Sequence, residues 1–340
     1  MIKIFFDSFS KDLTYHTDRN RFGGYLKIHK FQNSSLDEAD IIVIPNTADL
    51  SKWSHYKKMN KKIIFDITDA YLVEKNSFRR RFRSIAKYFF REYKYFSFSN
   101  INLIKKICTI SDAIVCCSEE QRNLMSKYCN NINIIYDFQD ERILNHKIDF
   151  AKKGKINLVW EGLSVNLHHF KFLDKLLYDL NKKFDITLNI ITEFNHKNYI
   201  IDNSIKKIIN KIFVKFKNYQ IHDWSLNSFS EIVSKCDIAL IPLNPEDKMS
   251  FYKGANKLIL MWKIGLPTVS SAAPDYVRLM DDVNIKLYCR NINEWEKNLM
   301  TLFQDRNLIR KIGNKLHKST YDSYSDKKIS LLWEDVIRKL

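Results

Sequence analysis

Two lysines stand at the start of a long apolar stretch. Residues 252–271 read YKGANKLILMWKIGLPTVSS, in which Lys253 and Lys257 are four positions apart. Four positions make about one helical turn, so a helix that begins here would carry two like charges on one face. The N-terminus of a helix is already partly positive, which disfavours such a pair. An anion between the two ammonium groups reverses both effects, and the sequence therefore predicts a phosphate site at this helix start.

Neighbouring residues fit the same prediction. Gly254 allows a close approach of backbone to a ligand, and Asn256 adds a neutral donor. Residues 258–262 are apolar around the whole helix circumference, which predicts a buried helix. Gly265 and the proline two residues later end this helix before a strand at 268–270. The alternative, two solvated lysines in a lysine-rich chain, stays open from the residues alone.

Short apolar runs alternate with helical patterns along the whole chain. Apolar runs without polar alternation are typical of strands that are buried on both faces of a parallel sheet. They predict strands at 2–6, 41–44, 62–66, 113–117, 132–136, 156–161, 186–192, 219–222, 237–242, 268–270 and 285–287. The polar stretch 137–155 lacks clear periodicity and marks the expected connection between two halves. We predict an α/β fold of two doubly wound, Rossmann-like domains that face a cleft.

Acidic residues follow two of the predicted strands, at the edge where such sheets bind ligands. Glu161 ends one strand beside Gly162, and it is a candidate for binding sugar hydroxyls or for acting as a base. The alternative is a strand-end acid paired with a lysine. Asp66 and Asp69 follow another strand and are candidates for acid/base chemistry or acceptor binding, with helix capping as the alternative.

Glycines and histidines supply further candidates. Gly23 and Gly24 place two of the seven glycines side by side, which predicts a loop with either a functional role or an ordinary turn. His168 and His169 lie on a predicted helix that begins near position 165 and are candidates for the cleft, although a lone histidine is more often structural. The spacing of the acids does not favour a metal site, and we expect no essential metal.

Several segments together resemble a known family. The stretch NKLILMWKIGLPTVSS, after YKGA, resembles the donor-binding helix and strand of GT-B glycosyltransferases, in particular those of the large retaining family. Other segments follow in the family's order: NLVWEG at 157–162, NIIT at 189–192, HDW at 222–224 and CDIALIPL at 236–243. The resemblance covers about 157–275 well and the N-terminal half only loosely.

The resemblance implies a domain plan and a set of roles. Residues 1–150 would form an acceptor-binding domain, 151–322 a nucleotide-sugar-binding domain, and 323–340 a helical segment that packs back on the first domain. Donor binding would fall to Gly23, Gly24, Gly162, His222, Trp224, Lys253, Asn256 and Lys257. Catalysis or sugar binding would fall to Glu161 and Asp69.

The chain also departs from the family. The paired glutamates of the retaining enzymes would fall at Tyr252 and Leu260, neither of which is a glutamate. Leu163 stands where the family usually has a cation. The stereochemistry of transfer therefore does not carry over, and a catalytically inactive scaffold stays open. The function that the resemblance implies is transfer of a sugar from a nucleotide-activated donor to a glycan or lipid-linked glycan in surface polysaccharide synthesis, without a cofactor.

Positive charge is concentrated in one segment. Residues 75–106 contain ten lysines and arginines and one acid, so they hold +9 of a net charge of +17. Within them, 78–98 combines cations with an aromatic stripe on a predicted helix at 78–96, which suits contact with anionic lipid. A core-facing stripe is the alternative. The same composition also permits a nucleic-acid-binding protein, in which aromatic rings stack on bases and cations bind phosphates.

Other sequence features narrow the class of protein. No run reaches the ~18 apolar residues of a membrane-spanning helix, and Asp7 interrupts the apolar N-terminus. We expect a cytoplasmic protein that is peripheral at the inner face of the cell membrane. The six cysteines lack C-x-x-C spacing, so we expect buried free thiols. The sequence contains neither a P-loop nor a G-x-G-x-x-G motif, which argues against P-loop NTPases and dehydrogenases.

Overall fold

A computed structural model describes residues 2–57, 59–73, 92–148, 154–194 and 199–340, with the side chains of 199–204 left undescribed. The strands are β1 Ile4–Phe6, β2 Ile41–Pro45, β3 Lys62–Asp66, β4 Ala113–Cys116, β5 Ile132–Ile134, β6 Ile156–Glu161, β7 Ile186–Thr192, β8 Tyr219–Asp223, β9 Ile238–Ile241, β10 Thr268–Ser271 and β11 Tyr288–Cys289. The helices are α1 His16–Asn20, α2 Phe22–His29, α3 Leu50–Ser54, α4 Asn100–Ile110, α5 Glu119–Met125, α6 Asp174–Asn181, α7 Tyr199–Ile212, α8 Leu226–Ser234, α9 Lys248–Phe251, α10 Asn256–Ile264, α11 Pro274–Asp282, α12 Ile292–Gln304, α13 Arg306–Ser323 and α14 Asp326–Arg338. Short 3₁₀ segments occur at Tyr71–Val73, Asp140–Arg142 and Ser164–Phe172.

The chain divides into two compact units. The N-terminal unit consists of Met1–Phe138, Lys248–Asn256 and Asp326–Leu340, and the C-terminal unit of Gln139–Asp247 and Lys257–Ser325. These units differ from the expected ranges 1–150 and 151–322, because the chain leaves the first unit after Phe138 and returns to it at 248–256.

The N-terminal unit is built on a parallel sheet with the strand order β1-β2-β3-β4-β5. Apolar side chains of β2 alternate between its faces. Ile41 and Val43 join one buried cluster with α2 and α14, and Ile42 and Ile44 join another with α3 and α4. Both faces of the sheet are therefore covered, as the unbroken apolar runs predict.

The last helix belongs to the N-terminal unit. Trp333 of α14 is fully buried, and its ring centre lies 5.1 Å from that of Phe22 in α2, in an edge-on arrangement. Aromatic pairs of this geometry add stability beyond the area they bury. The helix thus packs on the unit formed mainly by the first 138 residues of the chain.

The C-terminal unit has a parallel sheet with the strand order β11-β10-β9-β6-β7-β8. From β6 the chain proceeds to β7 and β8 on one side, and then to β9, β10 and β11 on the other. This reversal is the switch point of a doubly wound sheet, where ligands bind beyond the carboxyl ends of the strands. The α/β, Rossmann-like fold class predicted from the sequence is confirmed.

One predicted strand is wrong. Residues 285–287 do not form the predicted strand, and pairing with β10 is made instead by Tyr288 and Cys289. The backbone N–H of Ile285 donates to the oxygen of Met280 at the end of α11, and Asn284 has a positive φ of 51°. Residue 285 therefore completes the hydrogen bonding at the end of α11, and the side chains of Ile285 and Leu287 are buried.

The sequence also predicts a basic helix at 78–96 and buried free cysteines. The basic helix expected at 78–96 falls mainly on residues outside the description, while the described residues 92–98 form no helix. Of these, Tyr93 is buried and Phe98 is exposed.

Among the described helices, none combines the length and apolar character needed to cross a membrane. All six cysteines are buried and free, which confirms the expectation of buried thiols.

Candidate functional site

Glu161 and Lys257 meet at the carboxyl edge of the C-terminal sheet. Glu161 is the last residue of β6, at the switch point, and Lys257 lies in the first turn of α10. The ammonium group of Lys257 donates to the backbone oxygen of Glu161 and lies 3.8 Å from its Oε2. Both side chains are partly shielded from solvent, so salt screens their attraction less than that of a surface ion pair.

A second cation contacts the same carboxylate. Nη2 of Arg142 donates to Oε1 of Glu161 over 3.1 Å. The guanidinium carbon of Arg142 lies 4.9 Å from the ring centre of Phe229 and 5.8 Å from that of Trp224, close enough for cation–π attraction. Two cations and one carboxylate give this cluster a formal charge of +1. We call Arg142, Glu161 and Lys257 the Glu161 cluster.

Gly162 makes room for the cluster. The ammonium group of Lys257 lies 5.3 Å from the ring centre of Trp160, directly beside Gly162. A Cβ on Gly162 would lie 2.9 Å from Nζ of Lys257 and 3.0 Å from the Trp160 ring. A Cβ at residue 162 would therefore require the Lys257 ammonium group to shift.

Lys253 is placed differently from the expectation. Helix α10 begins at Asn256, so Lys253 precedes it and does not share a helix face with Lys257. Within the N-terminal unit, Nζ of Lys253 lies 2.7 Å from Oδ1 of Asp69. The prediction that the two lysines stand one helical turn apart on one helix is wrong, whereas their phosphate-binding role stays a prediction.

The physical reason lies in contacts that hold 252–254 to the N-terminal unit. The hydroxyl of Ser118 donates to the backbone oxygen of Tyr252 over 2.7 Å. A Cβ on Gly254 would lie 2.3 Å from the backbone oxygen of Cys117. The glycine thus permits a close approach of backbone to backbone, and the chain adopts a bend rather than a helical turn.

Asn256 has a structural contact of its own. Its Oδ1 accepts a hydrogen bond from the backbone N–H of Asp137 over 2.9 Å, where the N-terminal unit ends. The side-chain amide is therefore engaged in tying two segments of that unit together. Its assistance to a donor phosphate stays a prediction, for which the Nδ2 hydrogens are the chemically suitable group.

Asp66 and Asp69 do not form a pair. Asp66 is 1% exposed, and its Oδ1 accepts a hydrogen bond from Nη2 of Arg21 over 2.6 Å. Asp69 instead pairs with Lys253. Burial raises the pKa of the Asp66 carboxyl, and the charge of Arg21 opposes that effect. Asp66 therefore anchors the start of α2 to the sheet, and only Asp69 is left as a candidate for chemistry.

The glycines at 23 and 24 are not in a loop, so that expectation is wrong. Both belong to the first turn of α2 and are buried. A Cβ on Gly23 would lie 2.4 Å from the backbone oxygen of Asp18, and one on Gly24 would lie 2.7 Å from the ring of Phe138. Helix packing explains both glycines, and their contact with a donor stays a prediction.

His222 and Trp224 flank the end of β8. Nε2 of His222 lies 2.9 Å from Oδ1 of Asn189, and burial lowers the pKa of the imidazole, which is therefore neutral at pH 7. The backbone N–H of Trp224 donates to Thr192, and its ring faces Arg142. The structure thus brings Trp224, but not His222, to the Glu161 cluster.

Sequence reasoning missed Arg142. It lies in the 3₁₀ segment Asp140–Arg142, inside the stretch 137–155 that we assigned to an interdomain connection. A usable signal exists, because Arg142 is the single arginine in that stretch, whose other cations are lysines and a histidine. Arginine is preferred over lysine where a cation stacks on aromatic rings and binds an oxyanion pair.

A histidine cluster near α6 does not fit a metal. Ligand atoms of His168, His169 and Asp247 lie within 4.8 Å of one another. Nδ1 of His169 accepts a hydrogen bond from the backbone N–H of Asn244 over 3.1 Å. In a neutral imidazole the proton must then be on Nε2, the atom that faces Asp247, and a protonated nitrogen cannot ligate a metal.

Comparison with solved structures identifies the architecture. The chain matches the crystal structure of TarM at 15% identity and a TM-score of 0.60, over 87% of this chain and 54% of that chain. A TarM mutant of S. aureus in complex with fondaparinux, α-GlcNAc-glycerol and UDP matches at 14% identity and a TM-score of 0.59, over 87% of this chain and 55% of that chain. A UDP-forming α,α-trehalose-phosphate synthase from Burkholderia xenovorans matches at 11% identity and a TM-score of 0.59, over 98% and 83% of the two chains. The chain has the GT-B fold. The GT-B prediction from the sequence is thus confirmed.

The GT-B assignment is a statement about fold. No family model matches the chain, and no curated protein matches its sequence. The chain spans about half the length of the TarM chains that it matches. Within this GT-B chain, Leu260 is 1% exposed and packs in the core beside Val159, so no carboxylate stands at that position.

Proposed function

We propose that this chain is a glycosyltransferase that moves a sugar from a nucleotide-activated donor to a glycan or lipid-linked glycan. The GT-B fold supports the proposal, because the structures that share it include a UDP-forming α,α-trehalose-phosphate synthase and TarM. The TarM mutant complex contains UDP together with glycan compounds, which gives one precedent for both ligand classes on this fold.

The Glu161 cluster is the observation that carries the proposal. It lies at the switch point of a doubly wound sheet, where such folds bind ligands. Lys257 adds its charge in the first turn of α10, where backbone N–H groups also favour an anion. A nucleoside diphosphate is the leaving group of such a transfer, and its developing negative charge is what fixed cations stabilise.

Roles for the acids follow from their surroundings. In the transfer, an acceptor hydroxyl oxygen forms a bond to the anomeric carbon while the bond to the phosphate oxygen breaks, and the hydroxyl proton must leave. Asp69 is our candidate for binding the acceptor or receiving that proton, and Glu161 for binding sugar or phosphate-side groups.

We extend the proposal to location and acceptor. Net positive charge in 75–106, together with exposed Phe96 and Phe98, supports contact with an anionic membrane that carries a lipid-linked acceptor. A cytoplasmic enzyme at the inner face of the membrane, active in surface polysaccharide synthesis, would fit this contact. Retention on phosphatidylglycerol vesicles but not on RNA at 150 mM salt, about physiological ionic strength, is the expected result. The reverse result favours the nucleic-acid-binding alternative.

A binding experiment tests the enzyme proposal. We expect calorimetric titration with UDP, GDP, CDP and CMP to show binding of at least one nucleotide by the wild type. Lys257→Ala should weaken that binding about tenfold or more, which corresponds to ~1.4 kcal/mol. Lys235→Ala is the matched control, because Lys235 is an exposed lysine of the same unit that pairs with Glu231. A folded wild type that binds none of the four nucleotides would contradict the proposal.

A further inference from the structure

We infer that Glu161 is an internal stand-in for the donor phosphate, and that Arg142 is the second phosphate-binding cation. In this arrangement the carboxylate lies beside Arg142 and Lys257 and offsets their charge until a phosphate takes its place. The inference rests on the proposed function, since it names the groups that bind the donor's phosphate. It also assigns a role to Arg142, which lies outside the segments that resemble the GT-B family.

The geometry of the carboxylate supports this reading. Each oxygen of Glu161 faces a different cation, with Oε1 3.1 Å from Arg142 and Oε2 3.8 Å from Lys257. Two oxygens held by two cations are also the arrangement in which a phosphate group binds. The same pair of cations can therefore accept either anion, but the carboxylate and the phosphate cannot occupy one position together.

Arg142 is set up to bind an anion. Its side chain is 12% exposed and lies against the rings of Phe229 and Trp224. Its Nε is buried and has no hydrogen-bond acceptor among the described residues. A shielded guanidinium without a counter-ion is strongly unfavourable, so some anion must stay beside Arg142 in every state of the protein. Glu161 supplies that anion when no ligand is bound.

The contact of Lys257 with Glu161 is suited to exchange. Its hydrogen bond goes to the backbone oxygen of Glu161, which stays fixed in the strand. The distance of 3.8 Å to Oε2 is too long for a hydrogen bond. The Glu161 side chain can thus turn away without releasing Lys257 from β6, because the backbone contact remains.

This arrangement makes an unusual prediction for binding. If Glu161 only contacts the donor sugar, removing its charge should weaken the binding of a phosphate ligand without that sugar, or leave it unchanged. A glutamate that competes with phosphate for the two cations should strengthen that binding. Glu161→Gln keeps the size of the side chain and removes its charge, so it separates the two cases.

The experiment titrates UDP and, separately, inorganic pyrophosphate into the full chain by calorimetry. The variants are Glu161→Gln, Arg142→Gln and Arg142→Lys. Glu231→Gln is the control, since it breaks an exposed ion pair of 2.6 Å with Lys235 by the same substitution in the same unit. Circular dichroism and thermal unfolding establish that each protein is folded, and Arg142→Lys preserves a charge if Arg142→Gln fails to fold.

We expect Glu161→Gln to bind both ligands about tenfold more tightly than the wild type, or ~1.4 kcal/mol. Arg142→Gln should bind both about tenfold more weakly, and Arg142→Lys should fall between it and the wild type, since lysine keeps the charge but loses the planar fork. Glu231→Gln should match the wild type.

Two other outcomes separate the inference from the proposed function. If the wild type binds UDP and Glu161→Gln binds it equally or more weakly, the inference is overturned while the glycosyltransferase proposal stands. If neither the folded wild type nor folded Glu161→Gln binds pyrophosphate or any of UDP, GDP, CDP and CMP, the proposed function is contradicted and the inference falls with it.

Discussion

The ammonium group of Lys257 donates a hydrogen bond to the backbone oxygen of Glu161, the residue that ends the first strand of the C-terminal sheet. This contact joins the first turn of a buried helix to the point at which the strand order reverses. The Lys257 side chain needs unoccupied space to reach β6 from α10. It lies over the ring of Trp160 and beside Gly162, which has no side chain.

Gly162→Ala should displace the Lys257 side chain. The added Cβ would lie 2.9 Å from Nζ of Lys257 and 3.0 Å from Trp160, so the lysine must shift away from the end of β6. We expect nucleotide binding to weaken about fivefold, or ~1 kcal/mol, measured by calorimetry. In a Lys257→Ala background the same substitution should change binding little, because the two changes act on one contact. Additive losses would contradict this account.

Gly254→Ala should destabilise the N-terminal unit. The new Cβ would meet the backbone oxygen of Cys117 at 2.3 Å, and backbone cannot yield as a flexible side chain does. Overpacking of this kind costs about 1–3 kcal/mol, and we expect the upper end, measured by urea unfolding.

Gly154→Ala provides the comparison for Gly254→Ala. A Cβ at Gly154 meets no atom of the described residues within 4 Å, but its φ of +105° strains any other residue. The cost there should be about 1–2 kcal/mol, from backbone conformation alone. A larger loss of stability for Gly154→Ala than for Gly254→Ala would show that the Cys117 contact does not constrain the chain.

Some elements follow directly from sequence patterns. The strands at 62–66, 156–161 and 186–192 have the bounds that the apolar runs predict. Most residues of each run are buried, so local hydrophobicity and tertiary burial agree. The switch point at β6 then follows from the alternation of strands and helices, which is why Glu161 was found as a candidate.

Other features depend on contacts between residues far apart in the chain, which a local pattern does not contain. Gly254 looks like a glycine for ligand approach, yet it is required by Cys117, more than a hundred positions away. Gly24 likewise packs against Phe138 rather than in a loop. Arg142 was missed because its partners, Glu161 and Phe229, become neighbours only when the sheet of the C-terminal unit forms.

Trp333→Ala should weaken the packing of the last helix on α2. The Trp333 ring is fully buried and meets the ring of Phe22 at 5.1 Å. Removing a buried tryptophan costs about 3–5 kcal/mol of unfolding free energy, through lost apolar contacts and the remaining cavity. Urea unfolding followed by fluorescence and circular dichroism measures the loss.

Leu332→Ala is the matched control for Trp333→Ala. It lies on the same helix, but its side chain is 46% exposed. Surface substitutions of this kind change stability by about 0.5 kcal/mol or less. Equal losses for the two variants would mean that the helix contributes through its overall helicity and not through the Trp333–Phe22 contact.

The imidazole of His222 should make stability depend on pH. Burial lowers its pKa in the folded chain, whereas the unfolded chain keeps a pKa near the usual value of about 6.5. The unfolded state therefore binds the proton more readily below that pH, and the free energy of unfolding should fall as the pH decreases from about 6.5 towards the lower folded pKa. Above pH 7 both states are neutral at this site, and His222 contributes no slope. His222→Gln removes the titrating group, so the difference in unfolding free energy between wild type and variant should be constant from pH 7 to 8 and should shift in favour of the variant by pH 5.5. A difference that stays constant from pH 8 down to 5.5 would show that burial does not lower the pKa of His222 in the folded chain.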